Sequence, residues 1–291
     1  MSELVDLCGL TVAVTGAGRG IGLATVRAFA AAGARVVAGD LDELVLADAV
    51  RPLGERVQAL WLDVTSRRSF AAFLDAAQNR PGTCGVDVLV NNAGVQHVGA
   101  IVDADEAPAR RQVEVNVLGT LTGMALALER MLPRGCGHVV NVASAAGRST
   151  LPGNGVYSAT KAAIIALSEA AHAEARDSGV RVSVLLPGLV ETEMASGTYR
   201  PRALSVITPE AVAETVLAVV RRPRFETWVP ASTGRLYHIT ALLPRSARDA
   251  LTRALGIERT LTDIDWSARA AYEQRAALQP VHNLAGPRVS P

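Results

Sequence analysis

Residues 11–22 read TVAVTGAGRGIG, a short β-branched run followed by a glycine cluster and then by an alanine-rich stretch. The run at 11–15 predicts a buried strand, and residues 20–32, which end at Gly33, predict a helix. Glycines at such a junction permit close backbone approach and leave N–H groups exposed at the positive end of the helix. An ordinary turn also uses glycine, but a strand before and a helix after the cluster favour a site for a dinucleotide pyrophosphate.

Strand-like and helix-like stretches keep alternating beyond this segment. Strands separated by helices predict right-handed crossovers and a parallel sheet that is covered on both faces. We therefore expect an α/β fold, a doubly wound parallel sheet of six to seven strands with helices on both faces. The expected strands are 11–15, 35–39, 57–62, 86–90, 139–143, 180–185 and 227–229, and the expected helices are 20–32, 42–50, 66–78, 106–131, 156–177 and 209–221.

Composition excludes several classes of protein. The 291 residues are 49% hydrophobic and carry a formal net charge of +1, without the basic stripe of a nucleic-acid-binding protein. The three cysteines lie far apart in the sequence, which argues against disulfides and zinc and suits a reducing cytoplasm. The acidic first residues do not read as a signal peptide, and no stretch predicts a transmembrane segment.

The chain contains a single lysine, Lys161, and its 28 other basic residues are all arginine. Tyr157 precedes Lys161 by four residues, so in a helix the phenol and the ammonium share a face. A neighbouring ammonium favours the phenolate and lowers the tyrosine pKa from its usual value of about 10. The pair is a candidate proton donor and acceptor, although such spacing also arises by chance.

Asp40 closes the second expected strand, 20 residues after Gly20. A carboxylate at that place can accept both hydroxyls of an adenosine ribose and would repel a 2′-phosphate, which favours NAD over NADP. Arg19 in the glycine cluster could meet such a phosphate, so NADP stays open. The alternative for Asp40 is a turn acid, like Asp42 just beyond it.

Taken together, several motifs make the chain resemble the short-chain dehydrogenase/reductase family, in its simple single-domain branch with a Rossmann fold, over about residues 7–230. The glycine cluster has the spacing Thr-Gly-x-x-x-Gly-x-Gly of that family. The other matching motifs are Asp63-Val64, Asn91-Asn92-Ala93-Gly94, Asn116, Ser144, Tyr157 with Lys161, and Pro187-Gly188-Leu189-Val190-Glu191-Thr192.

This resemblance implies roles for individual residues. Tyr157 would be the general acid and base, Lys161 would hold the nicotinamide ribose, Ser144 would orient the substrate oxygen, and Asn116 would keep a water in line with Lys161. Substrate contacts would come from Ser144, Tyr157 and Leu189, and no metal is expected. The implied cofactor-binding residues are Gly16, Gly18, Arg19, Gly20, Ile21, Gly22, Asp40, Asp63, Val64, Asn91, Ala93, Gly94, Tyr157, Lys161, Pro187, Gly188, Val190 and Thr192.

The implied activity is NAD(P)-dependent interconversion of a secondary alcohol and a ketone, or of a primary alcohol and an aldehyde. The expected pocket walls are residues 95–98, 145–151, Leu189 and a mobile loop at 193–207, and their apolar character favours a hydrophobic small molecule. Two alternatives stay open, a non-catalytic NAD(P)-binding regulator or scaffold and an isomerase or dehydratase using bound NAD. The resemblance also implies a homodimer or homotetramer that assembles through helices 106–131 and 156–177.

The last part of the chain differs in character. We expect a catalytic domain over residues 1–240 and a helical C-terminal extension over 241–291, with helices at 245–255 and 265–277 and a frayed end at 280–291. The first of these helices is amphipathic, with arginines on one side. The extension could cover the substrate pocket or a subunit interface, make peripheral contact with an anionic membrane, or be loosely attached.

Overall fold

The computed structural model describes residues 4–79, 85–201 and 204–277. Seven strands form one parallel sheet in the order β3-β2-β1-β4-β5-β6-β9, and β7 and β8 form a separate parallel pair. The strands are β1 (Thr11–Thr15), β2 (Arg35–Asp40), β3 (Val57–Trp61), β4 (Val88–Asn91), β5 (Gly137–Val142), β6 (Val180–Pro187), β7 (Leu189–Val190), β8 (Val206–Ile207) and β9 (Glu226–Val229).

Helices cover both faces of the large sheet. They are α1 (Gly20–Ala31), α2 (Glu43–Val50), α3 (Arg67–Gln78), α4 (Glu106–Gln112), α5 (Thr120–Met131), α6 (Gly155–Glu174), α7 (Pro209–Arg221), α8 (Ala231–Ala241), α9 (Arg245–Ala254) and α10 (Trp266–Ala277). The expected long helix at 106–131 consists of α4, a π-helical stretch at Val113–Gly119, and α5.

Apolar side chains fill the space on each side of the sheet. Phe29 of α1 and Val216 of α7 belong to one core cluster, and Phe70 of α3 and Met124 of α5 belong to the cluster on the other face. All five residues of β1 are buried, as expected for a central parallel strand enclosed between two helical layers. The doubly wound parallel fold is therefore confirmed, with seven strands in the main sheet.

The strand order reverses between β1 and β4, which are neighbours in the sheet although β2 and β3 lie between them in sequence. In open α/β sheets the crevice at such a reversal, beyond the carboxyl ends of the strands, is where ligands bind. The glycine cluster follows β1, and the Asn91–Gly94 motif begins at the last residue of β4, so the topology brings both to this crevice.

The C-terminal part of the described chain is helical and contains α8, α9 and α10. Helix α8 was not expected, because its sequence ASTGRLYHITA has no clear helical pattern of apolar residues. Helices α9 and α10 lie close to the expected bounds, whereas the end at 280–291 lies outside the described residues. None of the helices in the described ranges combines the length and apolar character needed to cross a bilayer.

His138, in β5, gives the fold a testable dependence on pH. The residue is 5% exposed, and the Nε2 atom of its ring lies 2.8 Å from the Ser183 hydroxyl. Burial, assisted by the charge of Arg181, lowers the pKa of His138 from 6.5 to about 4. Between these values the unfolded chain binds a proton that the folded protein excludes, so stability present above pH 6.5 falls as the pH drops toward 4.

We expect His138→Gln to remove this contribution, which amounts to about 3 kcal/mol over the full range. Urea unfolding at neutral pH and near pH 4.5 should show a smaller loss of unfolding free energy on acidification than in the wild type. The control is His238→Gln, which changes an exposed histidine of α8. If all three proteins lose the same free energy on acidification, the assigned role of His138 is wrong.

Candidate active site

The glycine loop between β1 and α1 has a shape that larger residues could not adopt. Gly16 and Gly20 have φ angles of +63° and +50°, in the left-handed region that favours glycine. A Cβ on Gly16 would lie 2.8 Å from the Cα of Ala93, and one on Gly22 would collide with the Gly16 carbonyl oxygen. The loop therefore sits directly against the chain that follows β4.

Asn92 ties these two segments together. Its side-chain amide donates to the carbonyl oxygens of Thr15 and Gly16, both at 3.0 Å, and the Thr15 hydroxyl accepts from the backbone N–H groups of Asn92 and Ala93. Sequence reasoning placed Asn91 at the site and missed Asn92, although the Asn-Asn-Ala-Gly motif contains both. The side chain of Asn91 instead donates to Asn141 at 2.9 Å in the buried core.

Asp40 closes the crevice at the end of β2. Its carboxylate accepts from the backbone N–H of Gly18 at 2.8 Å and from that of Asp42 at 3.1 Å. The guanidinium of Arg19 lies 2.8 Å from the carboxylate of Asp42 and 3.7 Å from that of Glu193. The hydrogen bond from Arg19 holds the pKa of Asp42 below its ordinary value, so the cation of the glycine loop is already paired with an acid.

Two further observations bear on whether a dinucleotide fits. One carboxylate oxygen of Asp63 accepts from Thr65, whereas the other is buried and has no partner among the described residues, so it could accept from an amino group such as that of adenine. Helix α1 begins without a side-chain cap and without an acidic residue in its first turn, which leaves its positive end to an anion. These residues fit the cofactor predicted from the sequence.

Tyr157 and Lys161 lie in the first turns of α6. Their residues are 8% and 3% exposed, and the Lys161 Nζ atom lies 5.5 Å from the centre of the tyrosine ring. The ammonium donates to the carbonyl oxygen of Val142, at the end of β5, at 2.9 Å. Ser144, two residues further on, hydrogen-bonds with the phenol of Tyr157. The structure thus brings three of the four predicted catalytic side chains together.

The protonation states differ from the expectation. Burial raises the pKa of Tyr157 to about 12, although the hydrogen bond with Ser144 lowers it in part. Burial also lowers the pKa of Lys161 to about 8. The expectation that the ammonium brings the tyrosine pKa down is wrong, because loss of hydration penalises the charged forms of both groups and outweighs their attraction.

Asn116, the fourth predicted catalytic residue, lies in the π-helical stretch and is fully buried. Its amide oxygen accepts from the N–H of Val95 at 2.8 Å, and its amide nitrogen donates to the carbonyl of Val95 at 2.9 Å and to the Thr160 hydroxyl at 3.0 Å. That hydroxyl donates to the carbonyl of Tyr157 at 2.7 Å. Asn116 therefore fixes the chain after β4 against α6, and its amide hydrogens are both used by protein partners.

The remaining predicted site residues frame the crevice. Ile21, in the first turn of α1, packs against the core, and Val64 packs against Gly119. The Pro187 carbonyl lies 3.4 Å from the Ser144 hydroxyl, and the Gly188 N–H donates to the carbonyl of Val229 at 2.8 Å.

Leu189 and Val190 pair with Val206 and Ile207, and the Thr192 side chain lies 3.2 Å from where a Cβ on Gly20 would be. Ala93 and Gly94 line the same edge, where a Cβ on Gly94 would lie 3.6 Å from the Lys161 Nζ atom.

Helix α10 adds residues that sequence reasoning missed. Arg269 is fully buried, and its guanidinium donates to the carbonyl oxygens of Met194 at 2.8 Å, Gln96 at 3.1 Å and Ser196 at 3.3 Å. The Tyr272 hydroxyl accepts from the N–H of Gln96 at 2.7 Å. Helix α10 thereby joins the two expected pocket walls at 95–98 and 193–207, of which residues 202–203 are outside the described ranges.

Glu273 completes this contact. One of its carboxylate oxygens lies 2.5 Å from the Arg269 guanidinium, and the other lies 2.7 Å from Nδ1 of His97. Burial, with a smaller effect from the nearby Tyr157, raises the pKa of Tyr272. No sequence signal distinguishes Arg269 from the other arginines of the extension. Across the described residues, no three histidine, cysteine or acidic side chains are grouped so that they could hold a metal ion.

Comparisons with known proteins agree with this geometry. A family model described as short chain dehydrogenase matches residues 10–202. The ketoacyl reductase HetN of Nostoc sp. is 34% identical in an alignment of 232 residues, which covers 78% of this chain and 80% of that protein.

Two solved structures have similar folds. A short chain dehydrogenase/reductase from Burkholderia phymatum in complex with NAD has a TM-score of 0.72 at 28% identity, over 82% of this chain and 96% of that chain. A short chain dehydrogenase from Burkholderia cenocepacia in complex with NADP has a TM-score of 0.72 at 31% identity, over 86% of this chain and 99% of that chain.

We expect Arg269→Met to release α10 from the pocket walls. The substitution removes the donor that Glu273 and three carbonyl oxygens share. Breaking such a buried pair should lower the stability of the α10 contact by about 3 kcal/mol. Hydrogen exchange of peptides from residues 256–277 should accelerate about a hundredfold. Arg259→Met is the matched control, because Arg259 forms an exposed pair with Asp263 in the same extension. Equal exchange in the two variants would contradict the role of Arg269.

Proposed function

Because the chain belongs to the short-chain dehydrogenase/reductase family, we propose that it is an NAD-dependent oxidoreductase that interconverts an alcohol and a ketone or aldehyde. The proposal rests on one observation above all. The phenol of Tyr157, the ammonium of Lys161 and the hydroxyl of Ser144 meet beside the glycine-lined crevice, in the geometry that an acid–base step on a substrate oxygen requires.

The proposed proton step uses groups of this chain. Tyr157 holds a proton in the resting site, donates it to a carbonyl oxygen in reduction, and takes it back from the alcohol in oxidation. Ser144 holds the substrate oxygen within reach of the phenol by a hydrogen bond. Lys161 stabilises the phenolate that reduction leaves behind. When bound, the nicotinamide supplies the hydride acceptor or donor, and Asp40, the glycine loop and Asp63 would hold its dinucleotide.

We propose a hydrophobic alcohol or ketone as the substrate. Support comes from the apolar side chains of Val95, Leu151 and Leu189 in the expected walls. The structure adds polar groups to one wall, where Gln96 hydrogen-bonds to Asn154 at 2.9 Å. These amides are already paired, so they do not require a polar substrate.

Assembly and location are also proposals. The exposed side chains of Val113, Leu118 and Leu121 on the 106–131 segment support a homodimer or homotetramer through this face. The exposed free thiols of Cys8 and Cys136 support a reducing cytoplasm, and Cys84 lies outside the described residues.

We expect Tyr157→Phe to abolish the acid–base step while NAD still binds. Turnover should fall by about 10²–10⁴-fold, because the ring keeps its packing and loses only the proton that it transfers. Initial rates from NADH absorbance with aliphatic, steroid-like and polyol substrates, together with NAD titration, provide the measurement. Tyr237→Phe is the control. Tyr237 lies in α8, where its ring stacks on Trp228 of β9, and it is not among the predicted site residues.

Wild-type turnover in Tyr157→Phe would refute the assignment. NAD binding by the wild type without turnover on any substrate of the panel would instead favour the non-catalytic regulator. Activity confined to polyols would exclude the hydrophobic substrate but not the redox function.

We expect the wild type to prefer NAD over NADP by at least about tenfold in kcat/KM. The carboxylate of Asp40 would repel a 2′-phosphate, and Arg19 is already paired with Asp42. Asp40→Ser should reduce this ratio by about tenfold or more, because it removes the repelling charge. Asp177→Ser, at an exposed acid after α6, is the control. A clear preference of the wild type for NADP would overturn the assignment.

A further inference from the structure

Helices α8 and α9, with the turn at Leu242–Pro244 between them, present large apolar side chains to solvent. We refer to this region, residues 231–256, as the α8–α9 surface. Leu242 is 87% exposed and Ile239 is 65% exposed. Single exposed apolar residues are common on soluble proteins, whereas a cluster of them indicates an interaction site. The exposed large apolar side chains of the surface are Leu236, Ile239, Leu242, Leu243, Leu251 and Leu255.

Helix α9 is oriented opposite to an ordinary surface helix. Its less exposed residues are the polar Arg248, Asp249 and Thr252, and the Thr252 hydroxyl lies 3.3 Å from the Glu258 carboxylate. Its apolar side, with Leu251, is exposed, and no residue of α9 is buried. A soluble amphipathic helix turns its apolar stripe toward the core. The reversed orientation indicates that an apolar partner outside the protein covers this side.

Helix α8 is anchored firmly enough to support such a surface. The ring of Tyr237 stacks on Trp228 of β9 with 5.0 Å between the ring centres, and Gly234 is buried against the same tryptophan. Leu236 and Ile239 lie among the exposed residues of the helix. The exposed apolar side chains of α8 therefore lie on a helix whose position is fixed by its contacts with β9.

The charge of the surface indicates the nature of the partner. Residues 231–256 contain four arginines and one aspartate, a formal charge of +3, whereas the whole chain carries +1. The single acid, Asp249, lies 3.4 Å from Arg245. In a twofold contact between two copies, two faces that carry the same positive net charge would meet. An anionic bilayer instead offers acyl chains to the leucines and phosphates to the arginines.

We propose that the α8–α9 surface docks the protein on an anionic phospholipid bilayer. Ile239, Leu242 and Leu243 enter the boundary between headgroups and acyl chains, and Arg235, Arg245 and Arg253 lie at the level of the lipid phosphates. The contact is peripheral and does not depend on the proposed redox function.

The test is co-sedimentation of the full chain with vesicles. We expect binding to an equal mixture of phosphatidylcholine and phosphatidylglycerol to be at least about tenfold tighter than to phosphatidylcholine alone, and to weaken at high salt. The double variant Ile239→Asp, Leu242→Asp should lose at least about tenfold in affinity for the mixed vesicles, because it places charge in the apolar contact.

A second variant, Arg245→Glu with Arg253→Glu, tests the electrostatic part without altering the leucines and should also bind at least about tenfold more weakly. The matched control is Leu44→Asp, at an 81% exposed leucine of α2, and it should bind like the wild type. Circular dichroism and NAD titration verify that each variant is folded.

Failure of the wild type to bind the mixed vesicles would overturn the proposal, as would equal losses in the control and the two double variants. Analytical ultracentrifugation provides a further check. If the Ile239→Asp, Leu242→Asp variant dissociates a wild-type oligomer and still binds vesicles, the surface is a subunit interface and the proposal is wrong.

Discussion

The burial of the Lys161 ammonium is the constraint on which the site depends. A charged group removed from water is costly unless it is paired with an opposite charge, and here the hydrogen-bond partner among the described residues is a neutral carbonyl, that of Val142, at 2.9 Å. This cost is visible in the pKa of Lys161, which burial lowers to about 8. An arginine could not replace it, since a planar fork with five donors would leave more N–H groups unpaired in the same space.

The scaffold holds this charge in place through Asn116. In the π-helical stretch the helix is locally wider, an irregularity that is common at functional sites. The buried amide of Asn116 spans the backbone of Val95 and the hydroxyl of Thr160, and that hydroxyl bonds to the carbonyl of Tyr157. One side chain thus couples the edge of the sheet to the helix that carries both ionisable groups. A shift of either element would break hydrogen bonds that water cannot replace in a fully buried position.

Sequence patterns predicted the sheet well because each strand is a short apolar run and each crossover helix has a local signature. The strand Thr11–Thr15 is predicted to the residue, and the motifs indicate Ser144, Tyr157 and Lys161 as candidate catalytic residues. What the sequence could not provide depends on distant contacts or on burial. The burial of Arg269 against the carbonyl oxygens of Met194 and Gln96 and the direction of the Tyr157 pKa shift follow from tertiary packing, which a linear pattern does not record.

The proposed catalytic residues and the helix that joins the expected pocket walls come from different parts of the chain. The family match at residues 10–202 contains the glycine loop and all four catalytic residues predicted from the sequence, whereas α10, at Trp266–Ala277, lies beyond it. Yet α10 supplies the guanidinium that joins Gln96 to Ser196, and the hydroxyl that accepts from the N–H of Gln96. Likeness to the family therefore informs the reaction more than the substrate. The residues that determine substrate selectivity are therefore to be sought in the extension as well as in the matched region.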